Sequence, residues 1–181
     1  MKSLFIKELN HFFSSITGYL VMAVFLVLTS LFLFVLPGMF NIFDSGYAGV
    51  DNLFLLAPWV FLFLVPALTM RMFSDEKRTG TLELLLTKPL SDFELIFAKF
   101  LAGFTLVLLA LLPTLIFVYT VYSLGNPVGN LDSGATIGSF VGLLLLGGGY
   151  VAIGIYSSSL TDNPIVSFIV AVLLSLFVYV G

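Results

Sequence analysis

The chain has 181 residues, of which 60% are hydrophobic and only 9% are charged, and its formal net charge at pH 7 is −3. Soluble domains carry about 25% charged residues, so this composition excludes a water-soluble globular protein. The absence of cysteine excludes a disulfide framework, a thiolate metal site and a cysteine nucleophile.

The first residues carry large apolar side chains at intervals of three and four, the period of one helix face. Polar residues, among them Lys7 and Glu8, mostly fall between these positions. The pattern predicts an amphipathic helix over residues 1–15 that lies in the cytoplasmic interface of a membrane. We interpret His11 as an interfacial residue, because no Cys, Asp or His lies nearby to form a catalytic or metal site. The apolar positions are Phe5, Leu9, Phe12, Phe13 and Ile16.

Five apolar stretches follow, each free of charged residues and long enough to cross a bilayer. They predict transmembrane helices over residues 17–36, 52–70, 100–122, 137–156 and 164–181. Pro58 and Pro66 predict a bend in the second helix. Three glycines at 147–149 allow either close helix packing or a broken helix beside a substrate path, and we favour packing. The predicted fold is therefore an all-α polytopic membrane protein with a single membrane domain over residues 1–181.

Positive charge is confined to two parts of the chain. All seven Lys and Arg residues lie in the N-terminal stretch or between residues 71 and 99, whereas the connections 37–51 and 123–136 hold none. Because cytoplasmic loops carry the excess of Lys and Arg, the N-terminus and residues 71–99 are predicted to face the cytoplasm, in a multi-pass protein of the plasma (inner) membrane. The charge-free spans disfavour an ion-coupled secondary transporter.

The segment 71–99 predicts two short helices separated by a proline. The first covers about residues 79–87, with a threonine cap, Glu83 in its first turn and an end before Pro89. The second begins at Ser91, which has the spacing of a capping box with Glu94. A two-turn helix is too short to be stable alone, so it requires a membrane surface, neighbouring helices or a partner. The alternative interpretation is a solvated connecting loop.

The part of this segment from Glu76 to Ser91 resembles the cytoplasmic loop of ABC-2 type permeases, the membrane subunits of a large group of ABC transporters. The family pattern is approximately E-x-x-x-G-T-x-E-x-L-L-x-x-P. The matching residues are Glu76, Gly80, Thr81, Glu83, Leu85, Leu86 and Pro89. Residues 1–19 resemble, more specifically, the gliding-motility-associated ABC transporter permease of Bacteroidetes.

The resemblance implies a permease subunit, not an enzyme, whose loop between spans two and three is a coupling helix. A separate ATP-binding subunit would dock against that loop and drive transport, in the export direction, in gliding motility or secretion. The chain has no G-x-x-x-x-G-K-[ST] loop, so no cofactor is expected in this chain and ATP is expected in the partner. The predicted coupling interface consists of Glu76, Gly80, Thr81, Leu82, Glu83, Leu85, Leu86 and Pro89.

The resemblance also predicts a second permease half, as a homo- or heterodimer, within the lipid bilayer. An extracytoplasmic auxiliary subunit is a further expected partner, and nucleic acid is not. Family members have six spans per permease half, so the five spans here predict a six-helix permease truncated after the fifth. The alternative function is a membrane scaffold that anchors a motility or secretion complex without transporting anything.

Overall fold

The computed structural model describes residues 2–81 and 91–181, apart from the side chain of Lys2, and the regular structure within these ranges is entirely helical. The helices are α1 (Lys2–Ser14), α2 (Ile16–Ser30), α3 (Asp51–Thr69), α4 (Ser74–Arg78), α5 (Asp92–Leu111), α6 (Leu115–Leu124), α7 (Ser133–Leu160) and α8 (Pro164–Val180). Helix α2 continues into a π-helical turn, Leu31–Val35, and a 3₁₀ turn, Leu112–Thr114, separates α5 from α6.

The described chain contains four to five helical stretches of membrane length. The fifth of them, α8, is apolar but has 17 residues, which is at the lower limit of about 17–25 residues for a membrane-spanning helix. The predicted all-α polytopic membrane fold is therefore confirmed. The four longer stretches are Ile16–Val35, Asp51–Arg78, Asp92–Leu124 and Ser133–Leu160.

The predicted N-terminal helix is present as α1, and it packs along α5. It ends at Ser14, and the extended backbone of Ser15 (φ −99°, ψ 147°) redirects the chain into α2. The face that α1 buries contains Leu4, Glu8 and Phe12, which follow one another at helical spacing. The sequence interpretation was wrong about Glu8, which it placed among the polar positions between the apolar ones.

The central helix is α3, which contacts α2, α5, α7 and α8. Pro58 and Pro66 are both buried inside it, and the helix continues through them. The predicted start of α5 is confirmed: Ser91 Oγ accepts a hydrogen bond from the Glu94 N–H, and the Ser91 N–H donates to Glu94 Oε2, both at 3.3 Å. This is a complete capping box.

The glycines of α7 allow close packing, as the sequence analysis favoured, and the helix runs through residues 147–149 without a break. A Cβ atom on Gly147 would lie 2.6 Å from Val107 Cγ1 of α5, and one on Gly154 would lie 2.7 Å from Thr69 Cβ of α3. Both distances are far shorter than a van der Waals contact. Small residues at these positions therefore let α7 approach α3 and α5.

We predict that Gly154→Ala destabilises the protein by about 1–3 kcal/mol, because the added methyl group overpacks a contact that cannot relax without separating α3 from α7. Gly149→Ala is the matched control, since a Cβ at Gly149 meets no atom within 4 Å. Thermal unfolding of both variants in the same detergent measures the difference. An equal midpoint for the two would contradict this account of the α3–α7 contact.

Candidate functional site

Three residues of the predicted coupling interface lie in the described part of the chain: Glu76, Gly80 and Thr81. The others fall outside it, so their predicted roles and the predicted helix at about residues 79–87 stay predictions. These residues are Leu82, Glu83, Leu85, Leu86 and Pro89.

The helix α4 contains Glu76 and precedes the rest of this interface, and the sequence analysis did not predict this helix. Asp75 and Glu76 occupy its first turn, and Lys77 and Arg78 its last, which is the charge order that the helix dipole favours. Gly80 follows with a φ of +69°, a left-handed conformation that glycine adopts without strain. Thr81 Oγ1 accepts or donates a hydrogen bond with Thr79 Oγ1 at 2.9 Å, so the turn after α4 is locally defined.

The junction between α3 and α4 is bound to the end of α7. Ser158 Oγ accepts hydrogen bonds from the N–H groups of Phe73, at 2.9 Å, and Ser74, at 3.0 Å, and it donates to the Met70 carbonyl at 2.9 Å. Lys77 Nζ donates to the Ser159 carbonyl. These bonds satisfy backbone groups that leave the helix ladder, and they hold α4 beside the end of α7.

A buried ion cluster lies on the other side of α4. The side chain of Lys99, in α5, is 0% exposed, and its Nζ lies 3.1 Å from Glu8 Oε1 and 3.0 Å from Glu76 Oε2. Lys99 Nζ donates hydrogen bonds to Glu8 and, at 2.6 Å, to the Met72 carbonyl. It also lies 4.8 Å from the centroid of the Phe73 ring, a cation–π distance. The cluster thus joins α1, α4, α5 and the end of α3.

The charges of this cluster balance. Lys7 Nζ lies 3.6 Å from Glu76 Oε1, so two cations face two carboxylates. The contact between Lys99 and Glu76 Oε2 is an ion pair outside hydrogen-bond geometry, because that oxygen has no hydrogen-bond partner. An uncompensated buried charge costs several kcal/mol. The four side chains are therefore held close to one another, and separating α1 or α4 from α5 is unfavourable.

The position of Glu76 bears on its predicted role. Its side chain is only 15% exposed and is ion-paired within the chain, whereas Gly80 and Thr81 are exposed. The structure therefore places Gly80 and Thr81 at an accessible surface. Glu76 lies where it orients α4 against α1 and α5, and its predicted role at the interface stays a prediction.

Sequence reasoning missed the cluster, although a signal for it exists. Glu8 falls at the spacing of Leu4 and Phe12, and Lys99 falls four residues after Leu95 and three before Ala102, two buried positions of α5. A charged residue that interrupts an apolar face at helical spacing is a candidate for a buried ion pair, because charged side chains are almost never fully buried unless they are paired. What the sequence does not give is which opposite charges meet.

The described cations collect at this end of the bundle. A cleft of about 470 Å³ opens there between α1 and the α3–α4 region. Charges of both signs line it: the cations are Lys7, Arg71 and Arg78, and the anions include Asp75 and Glu76. Such a surface suits a protein partner with complementary charges. Among the described residues, no group of His, Cys, Asp and Glu is arranged to hold a metal ion.

Comparison with known proteins gives one family. A family model described as "ABC-2 family transporter protein" matches residues 45–181, from the loop after α2 to the last residue of the chain. No curated protein and no solved structure matches the chain.

We predict that Lys99→Gln destabilises the protein by about 3–5 kcal/mol, because it leaves Glu8 and Glu76 buried without their cation. The control is Arg78→Gln, which removes the exposed Arg78–Asp75 pair (3.1 Å) and should cost about 0–1 kcal/mol. Thermal unfolding in one detergent compares the two. Similar losses for both variants would show that Lys99 is not a buried structural charge.

Proposed function

The chain belongs to the ABC-2 transporter family as a membrane permease subunit, and we propose that a separate ATP-binding subunit drives transport through it. The observation that carries this proposal is the Lys99 cluster. This cluster joins α4, which lies just before the predicted coupling segment, to α1 and α5. In this proposal, a displacement of the coupling segment is transmitted through α4 to α1 and α5.

The proposed coupling follows from the cost of separating buried charges. Because Glu76 pairs with Lys99, a displacement of α4 either moves α5 with it or exposes an uncompensated charge. The same holds for α1, which contributes Glu8. We propose that α1, α4 and the start of α5 move as one unit when nucleotide binding or hydrolysis displaces the coupling segment. The interface itself is formed by Gly80, Thr81 and the predicted residues between 82 and 89.

We propose that the cationic end of the bundle faces the cytoplasm of a cell whose plasma (inner) membrane holds the protein. Two observations support this orientation. Lys7 and Lys99 pair with Glu76 of α4, Lys77 belongs to α4, and Arg71 lines the adjoining cleft, so these cations lie at one end of the bundle. The loops that line a pocket at the other end, around Phe43 to Ala48 and Leu124 to Asn130, contain no Lys or Arg.

Within the same proposal, the chain works with a second permease half and an ATP-binding subunit, and it exports its substrate. The resemblance of residues 1–19 supports a role in gliding motility or secretion, in which an extracytoplasmic subunit would contact the loops at the opposite end. A scaffold that anchors such a complex would keep these partners but show no nucleotide-dependent movement of its helices. Distances between labels on α3 and α8, measured with and without ATP, separate the two functions.

We predict that Glu83→Lys and Glu76→Gln have different effects on coupling. Glu83→Lys reverses a charge at the proposed interface, so it should reduce co-purification with the ATP-binding subunit and, with it, ATPase stimulation. Glu76→Gln acts within the chain, so co-purification should persist while ATPase stimulation falls. Unchanged co-purification and stimulation in Glu83→Lys would remove that residue from the interface. Loss of co-purification in Glu76→Gln, in a folded variant, would assign Glu76 to the interface instead.

The absence of native cysteine allows a direct test of orientation. Thr79→Cys and Asn130→Cys place one thiol each at exposed positions of opposite ends. A membrane-impermeant maleimide added to intact cells should label Asn130→Cys, whereas Thr79→Cys should react only after the membrane is opened. The reverse pattern would overturn the proposed orientation.

A further inference from the structure

A groove of about 570 Å³ separates α5 from α7 at the cationic end of the bundle. It is part of neither the ion cluster nor the charged cleft described above. Its volume is typical of a small-molecule site, about 300–1,000 Å³. Its walls are largely apolar and remain open on the outer surface, where Phe93 is 74% and Tyr156 is 58% exposed. The apolar walls consist of Phe93, Leu95, Ile96, Phe97 and Phe100 from α5 with Ala152, Ile155 and Tyr156 from α7.

One wall of the groove is a ladder of phenylalanine rings along α5. Phe93 and Phe97 stack with ring centroids 5.7 Å apart, Phe97 and Phe100 at 6.4 Å, and Phe100 and Phe104 at 6.0 Å. At a rise of 1.5 Å per residue, the part of the ladder that lines the groove, from Phe93 to Phe100, is about 10 Å long. This is about two-thirds of one leaflet, since the hydrocarbon thickness of a whole bilayer is ~30 Å.

The opposite wall narrows the groove from its mouth inward. A Cβ atom on Gly148 would lie 3.2 Å from the Phe104 ring, so α7 touches the ladder there and closes the inner end. One helical turn nearer the mouth, the small side chain of Ala152 leaves space in front of Phe97 and Phe100. The groove is therefore a slot, closed inside and open at the cationic end.

The mouth carries one charge of each sign. Lys77 and Asp92 line it together with Ser159, and Lys77 and Asp92 are both exposed. A cation beside a carboxylate complements a headgroup that carries a phosphate and a primary ammonium group. A phosphatidylglycerol headgroup has no ammonium for Asp92, and a phosphocholine headgroup has no N–H to donate to it.

We propose that this groove holds one phospholipid of the phosphoethanolamine class. One acyl chain lies along the phenylalanine ladder, the phosphate meets Lys77 and the ammonium group meets Asp92. The lipid covers an apolar slot that is open to the bilayer, and it adds a phosphate to Lys77, whose Nζ also donates to the Ser159 carbonyl, and an ammonium group to Asp92. This inference does not depend on ATP coupling, because it concerns the permease alone in a membrane.

The test is native mass spectrometry of the full chain after reconstitution with equal amounts of phosphatidylethanolamine, phosphatidylcholine and phosphatidylglycerol. The wild type should retain one phosphatidylethanolamine in preference to the other two lipids. Ala152→Phe fills the slot at an exposed position and should abolish retention. Leu173→Phe, at a site on α8 that is 60% exposed, is the matched control and should retain the lipid. Equal retention in Ala152→Phe and the wild type would overturn the proposal.

The headgroup contacts are tested separately. Asp92→Asn should lower the preference for phosphatidylethanolamine over phosphatidylglycerol about tenfold, the effect of losing one charge-assisted hydrogen bond, and Asp92→Glu should restore it. Lys77→Gln should lower the retention of all three lipids, because each of them carries a phosphate. Retention of phosphatidylethanolamine no better than phosphatidylcholine by the wild type would overturn the assigned headgroup. A wild type that retains no lipid would overturn the site.

Discussion

A lysine with no access to solvent determines how the cationic end of this bundle is arranged. Lys99 cannot recover its lost hydration from water, so Glu8, Glu76 and the Met72 carbonyl have to remain within about 3 Å of its ammonium group. Glu8 comes from α1, Glu76 from α4 and Met72 from the junction between α3 and α4. The position of α1 along α5, the position of α4 and this junction are therefore coupled to one another through one buried charge.

The second constraint is that the backbone N–H groups at the junction between α3 and α4 need hydrogen-bond partners. Where α3 ends and α4 begins, N–H groups leave the helix ladder close to a membrane, and leaving such groups unpaired costs several kcal/mol each. One hydroxyl group, Ser158 Oγ, accepts from both Phe73 and Ser74. Further along the same contact, Gly154 brings α7 against Thr69. The polar bonds and the close packing thus set the same register of α7 against α3, so that shape and hydrogen bonding reinforce each other.

The features that could be predicted from sequence are those with local causes. The Ser91–Glu94 capping box and the membrane-length apolar runs depend on residues close in sequence, and the packing role of the α7 glycines follows from their own lack of a side chain. The features that could not be predicted are held from a distance. Glu8 and Lys99 are 91 residues apart. The five residues of α4 have no apolar period of their own, and the start of that helix is held by Ser158, 84 residues after Ser74. For the same reason, Glu76 fitted a family motif at an interface, although its side chain is paired inside the chain.

The helix α4 acquires its importance from two consecutive residues that point to different partners. Glu76 is paired with Lys99 of α5, and Lys77 is bonded to the carbonyl of Ser159 at the end of α7. A displacement of α4 therefore acts on both helices that form the walls of the apolar groove, and Lys77 itself stands at the groove's mouth. On the proposed coupling route, the segment after Gly80 does not need to reach the membrane core. It needs only to move α4, because α4 is already bonded to the helices on either side.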